Sequence, residues 1–425
     1  MVLVSRPISY ALYQVIYRRF DMKKSDKKKR WIRFRHKIVR NVLNFFLKPY
    51  CYLKYGLRVE RLREKKKRQY LILFNHQTGF DQFFVGMAFR GAVYYVASED
   101  IFSMGKASSL IRYLVAPIPI KKQATDVRAV IDGMKVAREG GTIAIAPEGN
   151  RTFSGENCYM NPAIAMLAKK LSLPIALYRI EGGYGVHPRW SDVVRKGHMR
   201  AYVSRVIEPE EYTSLSDTEL CKLIGDGLYI NDCESGGKYY SKKSAEYLER
   251  AFYVCPYCGL AEFHSEGEKI SCKRCGRSVK YLSDLTLSGE GFDFPFKNTV
   301  EWYNYQCDYV RGLDLSPYTD TPMFTDTATL SLVALYKKKE KLCEAASVKL
   351  YSDKITVSGS EEFSFPFDEV SAVSVLGKNK VNIYHGKKVY QLKGDERMNA
   401  LKYVNVYYSH KSIDKGDENG KFLGL

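Results

Sequence analysis

Between residue 70 and about residue 207 short apolar runs alternate with helical segments, and this alternation constrains the fold more than any other feature of the chain. QYLILF, VYYVA, TIAIA, LPIALYRI and MRAYVSRVI read as strands. DQFFVGMAF, SSLIRYL, DVRAVIDGMKVAREGG and NPAIAMLAKKLS read as helices, and VAPIPI as an extended run. In the third helix Val127, Val130, Ile131 and Met134 share one face and a glycine pair stops the segment. In the fourth, Asn161 stands as a cap with Pro162 at the first position. Strand and helix in alternation predict an α/β layer architecture. DTELCKLIGDGLYI adds a further helix at 217–230.

A chain of 425 residues exceeds one typical core, so more than one unit is expected. The second unit announces itself as Cys255-Pro-Tyr-Cys258 and Cys272-Lys-Arg-Cys275, two knuckles separated by 13 residues. Four thiolates at this spacing predict a tetrahedral zinc site with no open position, iron or a redox pair being the alternatives; the metal would be structural and the unit is similar to a zinc ribbon. NTVEWYNYQCDYV then reads as a helix. Beyond about 325 the pattern turns to strands: SVKLYS, KITVSG, EFSFPF, VSAVSVL, KVNIYH and KKVYQL, joined by turn signals at Gly377-Lys378-Asn379 and His385-Gly386. A helix, ERMNALKYVNVYYSH, closes the chain. The pattern is weakly pleckstrin-homology-like.

The formal charge of +20 is unevenly placed: residues 1–70 hold 22 Lys and Arg against four acids, Asp21, Asp26, Glu60 and Glu64. Such an arm suits an anionic surface or polymer. Trp31, Phe34, Ile38, Val42, Phe45 and Pro49 recur at helical spacing, with Arg33, Arg35, Lys37 and Arg40 between them. This predicts an amphipathic helix that docks on a membrane, the other account being an apolar face packed on the main domain. Ile8, Leu12, Val15 and Ile16 suggest a shorter helix before it. The most apolar window, VLNFFLKPYCYLKYGL, is broken by Lys48, Pro49 and Lys54 and is too short to span a bilayer. The start lacks a signal-peptide pattern. The expected location is therefore cytoplasmic, peripheral on the inner face of the cell membrane, with cysteines reduced or metal-bound. Cys158, Cys221 and Cys307 are expected to be ordinary thiols, and His187 and His198 loop and strand histidines.

Two polar constellations follow buried strands. In NHQTGFD, His76 can take a proton from a hydroxyl near neutral pH, and Asp81 can fix its tautomer. Gly79 is expected to let the turn bring Asp81 back to His76, and Asn75 to brace the loop. No serine or cysteine nucleophile stands in a recognisable setting beside His76, so direct attack by a substrate hydroxyl is implied. In APEGNRTFSG, Glu148 and Arg151 flank Gly149; Arg151 can fork onto a phosphate and Glu148 can accept from a hydroxyl. Taken singly, the first run also suits a loop histidine with a helix-capping aspartate, and the second a surface Glu–Arg pair.

Together, about 70 residues apart in one α/β block, the runs resemble the glycerolipid acyltransferase family, the lysophosphatidate acyltransferases in particular. Asn75, His76 and Asp81 match the family's first block, and Pro147, Glu148, Gly149 and Arg151 its third. Asn150 stands where the family has a hydroxyl residue. The second block carries Lys121 and Lys122 in place of an arginine, which keeps the charge and loses the bidentate fork. LPIALYRI, around Pro174, fits the fourth. The resemblance implies transfer of a fatty acyl group from acyl-ACP or acyl-CoA to the hydroxyl of a lysophospholipid, 1-acyl-sn-glycerol-3-phosphate first. His76 and Asp81 are then catalytic. Asn75, Gly79, Lys121, Lys122, Glu148, Gly149 and Arg151 bind substrate, with an oxyanion donor near Gly79 and no catalytic cofactor. Glycerol 3-phosphate or another lysophospholipid is the alternative acceptor. A membrane- or nucleic-acid-binding scaffold is the non-enzyme alternative; it leaves the paired blocks unexplained, and the ribbon lacks clustered aromatics for stacking bases.

The expected organisation is basic docking helices over 1–69, the acyltransferase domain over 70–250 and a zinc ribbon over 251–285. A helical linker over 286–325 and a β-rich module with a closing helix over 326–425 complete it.

Overall fold

Seven strands form the first sheet: β1 (Leu57–Val59), β2 (Leu71–Phe74), β3 (Val93–Ser98), β4 (Ile118–Ile120), β5 (Thr142–Ile145), β6 (Ile175–Glu181) and β7 (Met199–Ile207). The computed structural model describes residues 30–64, 68–120, 127–334 and 338–413. The strand order is β1-β7-β6-β2-β5-β3-β4. β2 lies parallel to β5 and β6, and β3 parallel to β5 and β4. β7 turns back against β6, and β1 follows β7. All four side chains of β2 are buried, as a central strand covered on both faces requires. Ile72 and Phe74 join the core on one face, Leu71 and Leu73 the core on the other, following the two-residue period of a strand.

Helices cover both faces: α1 (Phe34–Tyr55), α2 (Asp81–Ala88), α3 (Lys106–Val115), α4 (Val127–Arg138), α5 (Ala163–Leu171) and α6 (Asp217–Leu228). At the start of α5, Asn161 Oδ1 accepts from the Ala163 N–H at 2.9 Å. The packing of α1 overturns the account in which its apolar face lies on the domain. Arg40 Nε and Asn44 Nδ2 donate to the Gly86 carbonyl at 3.0 and 2.9 Å, and His36, Cys51 and Tyr55 are buried. The stripe of Phe34, Ile38, Val42 and Phe45 faces outward instead, with Phe34 77% and Phe45 75% exposed. Trp31 leaves that stripe: its Nε1 donates to the Ala116 carbonyl at 2.9 Å. The earlier helix suggested around Ile8–Ile16 lies outside the described residues.

The cysteine unit follows. β8 (Val254–Cys255) pairs with β9 (Gly259–Leu260), and β10 (Phe263–Glu266), β11 (Lys269–Cys272), β12 (Ser278–Tyr281) and β13 (Leu287–Gly289) form a four-stranded antiparallel sheet. α7 (Thr299–Arg311) is capped by Asn298 Oδ1, which accepts from the Val300 and Glu301 N–H groups.

The last sheet also has seven strands: β14 (Phe324–Val333), β15 (Glu340–Leu350), β16 (Lys354–Ser358), β17 (Glu362–Pro366), β18 (Val370–Leu376), β19 (Lys380–His385) and β20 (Lys388–Gly394). Their order is β17-β16-β15-β14-β20-β19-β18, in a curled antiparallel half-barrel closed by α8 (Leu401–His410). Sequence reading overlooked β14, because threonine, serine and aspartate dilute the apolar alternation of FTDTATLSLV. Pairing with β15 on one side and β20 on the other makes it central nonetheless. The core on the Ile72 face continues from the first sheet through the cysteine unit into the last: Tyr178, Trp190, Phe252, Trp302, Val348 and Tyr403 all belong to it. Trp190, from the loop before β7, meets Tyr281 of β12 with ring centroids 5.9 Å apart, so the cysteine unit is built into the molecule rather than hung from it.

Candidate active site

β5, β2 and β6 are neighbours running in one direction, so the loops after them meet at one edge of the sheet, where α/β proteins place their sites. The loop after β2 carries NHQTGFD. Asp81 is fully buried and its carboxylate gathers the loop around itself. Oδ2 accepts from His76 Nδ1 at 2.7 Å and from the Gln77 N–H at 2.7 Å; Oδ1 accepts from the Thr78 hydroxyl at 2.7 Å and the Thr78 N–H at 3.0 Å. These bonds make the turn. Gly79 is not among the glycines in the left-handed region, which corrects its expected part in the fold of the loop. A Cβ at Gly79 would instead stand 3.6 Å from Arg151 Nη1, so its bare backbone faces the guanidinium.

Asn75 is buried inside the sheet edge. Its amide exchanges two bonds with Ile180, Nδ2 to the carbonyl at 2.9 Å and the Ile180 N–H to Oδ1 at 2.8 Å, tying the loop to β6. Gln77 Oε1 accepts from the Tyr184 N–H at 2.8 Å, and the buried Asp232 accepts from the Gly182 and Tyr184 N–H groups, both at 2.9 Å.

The loop after β5 brings Pro147, Glu148, Gly149 and Arg151. Gly149 has φ +67°, a conformation that excludes most side chains. Glu148 is 4% exposed. Oε1 accepts from the His76 N–H at 3.2 Å and Asn157 Nδ2 at 2.7 Å, and Oε2 from the Cys158 N–H at 2.7 Å. Glu148 therefore straps the two loops together from within, helped by the Thr152 N–H on the His76 carbonyl at 3.2 Å. Burial pushes its carboxyl up to about 7 against these donors.

Two groups of this edge remain open for chemistry. The His76 side chain is 25% exposed, so a substrate can reach it, and Asp81 on Nδ1 leaves Nε2 as the proton acceptor. Burial holds the imidazole below its ordinary value while the Asp81 hydrogen bond pulls it upward, which leaves it neutral near pH 7. No serine or cysteine side chain bonds His76 among the described residues. Arg151 lies against the same loop, and burial also lowers its guanidinium while Asp81 opposes the shift. It makes no salt bridge among the described residues.

Residues 56–180 match the profile of the Acyltransferase family. These residues are an acyltransferase domain. The match spans the His76–Asp81 pair and Arg151, and the enzyme class follows from it. No curated protein sequence matches the chain. Among solved structures, the chain is similar to the 1-acyl-sn-glycerophosphate acyltransferase from Thermotoga maritima at 21% identity and a TM-score of 0.39. That alignment covers 52% of this chain and 86% of the other.

Around this site, the sequence alone did not point to the residues that brace it: Gln77, Thr78, Asn157, Asp232 and Arg189, whose Nη1 donates to the Arg151 carbonyl at 2.8 Å. Gln77 and Thr78 lie inside NHQTGFD, and a hydroxyl three residues before a helix-opening aspartate is the available signal. The others join through space and left none. Lys121 and Lys122 lie outside the described residues. His198 precedes β7, and His187 is half-buried beside the site.

The four cysteines of the second unit meet as their spacing implies. Their sulfurs lie within 4.8 Å of one another, with Cys255 to Cys275 at 3.8 Å and Cys258 to Cys272 at 3.6 Å. A tetrahedron with metal–sulfur bonds of about 2.3 Å has edges of roughly 3.8 Å, so the set fits zinc and is too wide for disulfides.

Proposed function

We propose that this enzyme transfers a fatty acyl group from an acyl thioester of coenzyme A or acyl carrier protein to the free hydroxyl of a lysophospholipid, with 1-acyl-sn-glycerol-3-phosphate as acceptor and phosphatidate as product. The observation that carries the reading is the 2.7 Å His76–Asp81 pair with, across Gly79, an arginine that has no ion-pair partner among the described residues. His76 Nε2 takes the proton of the acceptor hydroxyl as its oxygen attacks the thioester carbonyl. Asp81 stabilises the imidazolium that forms. The Gln77, Thr78 and Phe80 N–H groups are engaged within the loop. The Gly79 N–H, at the entry to α2, is the donor we assign to the oxyanion. Collapse of the tetrahedral intermediate expels the thiolate, which takes from His76 the proton that came from the acceptor hydroxyl. Arg151 holds the acceptor's phosphate, a task its planar fork suits. Glu148 and Asn75 act from within, by holding the loops.

The acceptor arrives from a bilayer. The outward stripe of α1 continues through Phe46 and Leu53, which is 80% exposed, and Lys37, Lys48 and Lys54 lie exposed beside it. An apolar face edged with cations suits the anionic cytoplasmic leaflet. At the C-terminal end of α1 the buried Tyr55 packs on Phe80 with ring centroids 5.4 Å apart, so the helix ends against the catalytic loop. No helix among the described residues is long and apolar enough to cross a membrane. Zinc on Cys255, Cys258, Cys272 and Cys275 is structural in this reading, since four thiolates leave no coordination position free.

The test is acyl transfer by purified protein with anionic vesicles, labelled lysophosphatidate and each thioester in parallel. Phosphatidate made by the wild type and lost in His76→Ala supports the reading and names the donor; folded wild-type protein that makes none with either donor overturns it. Replacing Phe45 and Phe46 together by aspartate is expected to abolish sedimentation with the vesicles.

A further inference from the structure

His187 is the half-buried titratable group for which the chemistry above has no use. Both of its ring nitrogens are shielded from solvent and neither has a hydrogen-bond partner among the described residues. An imidazole with both nitrogens shielded and unpartnered is rare, because its N–H ordinarily finds an acceptor. Its surroundings are cationic. The charges of Lys378, Arg151 and Lys54 all bear on it, and Asp192 is the acid that faces it. Asp192 is itself engaged by the buried Arg250 at 2.7 Å and by Lys378. The Tyr55 ring lies against His187 with centroids 5.9 Å apart and against Phe80 in turn.

Lys378 comes from the far end of the chain, in the turn between β18 and β19. That turn sits one guanidinium away from the catalytic edge. Arg189, itself buried and stacked on Phe153, donates through Nε to the Gly377 carbonyl and through Nη1 to the Arg151 carbonyl, each at 2.8 Å. Its Nη2 reaches the Val375 carbonyl at 3.2 Å. A cluster of cations beside an unsatisfied imidazole lacks one component, an anion that can accept from all of them.

We infer that His187 and Lys378 complete the phosphate site of the acceptor with Arg151, so that the C-terminal sheet supplies part of the acyltransferase centre. The inference rests on the acceptor reading above and deepens it. A phosphate monoester has the oxygens to accept from the His187 N–H, the Lys378 ammonium and the Arg151 fork together. A lysolipid without phosphate leaves the cluster unanswered.

Binding without an acyl donor tests this apart from turnover. Lysophosphatidate and monoacylglycerol of the same chain are titrated into the full chain in neutral detergent micelles, with wild type, His187→Phe, Lys378→Gln and Lys378→Arg compared. His187→Phe keeps a ring against Tyr55, and circular dichroism checks that each variant is folded. The expected result is wild-type preference for lysophosphatidate, a loss of at least tenfold in that affinity in His187→Phe and Lys378→Gln, partial rescue in Lys378→Arg, and unchanged binding of monoacylglycerol. Wild-type protein with no preference for the phosphate overturns the acceptor reading and the inference with it. Wild-type preference retained in both folded variants overturns the inference alone.

Discussion

The molecule holds two seven-stranded sheets that solve opposite problems. In the first, β5, β2 and β6 run together and open three loops at one edge, so His76, Arg151 and the Gly182–Gly185 turn converge there. In the second, every strand returns on its neighbour, loops divide between both ends, and no comparable edge arises. That sheet wraps a helix instead. α8 buries nearly its whole circumference, including Lys402, whose amine pairs with Asp326 at 2.7 Å while Tyr403 donates to the same carboxylate at 2.6 Å. The difference teaches that parallel strands concentrate functional loops, whereas a curled antiparallel sheet makes a rigid body that can present a single hairpin. Here the hairpin is the turn at Gly377 and Lys378.

If the two sheets share one core through the cysteine unit, metal removal acts on both. Structural zinc contributes on the order of 10 kcal/mol in small domains. Chelation, or Cys272→Ser, is expected to melt the whole chain in one transition by circular dichroism and to abolish acyl transfer with it; separate transitions would break the comparison. Asp81→Asn strikes only the first sheet. An amide there sets a donor against four donors and removes the charge that stabilises the imidazolium, so acyl transfer is expected to fall by about 10³-fold, measured with the labelled acceptor.

Lys402→Met strikes only the second sheet. It leaves the Asp326 carboxylate partly buried without its cation, at a cost of about 3–5 kcal/mol in urea unfolding, while activity per folded molecule is retained. Glu148→Gln sharpens the contrast in its pH dependence. The Glu148 carboxyl ionises near 4.5 when unfolded and at about 7 when folded, so the folded state holds its proton longer and stability declines as pH rises between those values. The variant is expected to remove a decline on the order of 2–3 kcal/mol. Urea titrations at pH 5 and pH 8 measure it, and an equal decline in both proteins would assign the ionisation elsewhere.

Local chemistry by itself determined much of this protein. Apolar runs that must leave water set the order of strands and helices in the first sheet. Histidine, aspartate and arginine at the ends of two such runs marked the candidate reacting groups, and paired cysteines a candidate metal site, because these depend on residues close in the chain. The tertiary structure decided what depends on residues far apart. It turned the apolar stripe of α1 outward, since Arg40 and Asn44 had carbonyls at the end of α2 to meet. It drew Glu148 inward, because the His76, Asn157 and Cys158 donors surround it. It made β14 a central strand despite its polar residues, and it carried Lys378 nearly two hundred residues back to Asp192 and His187. Periodicity records which residues avoid water; only packing settles which surface they avoid it against.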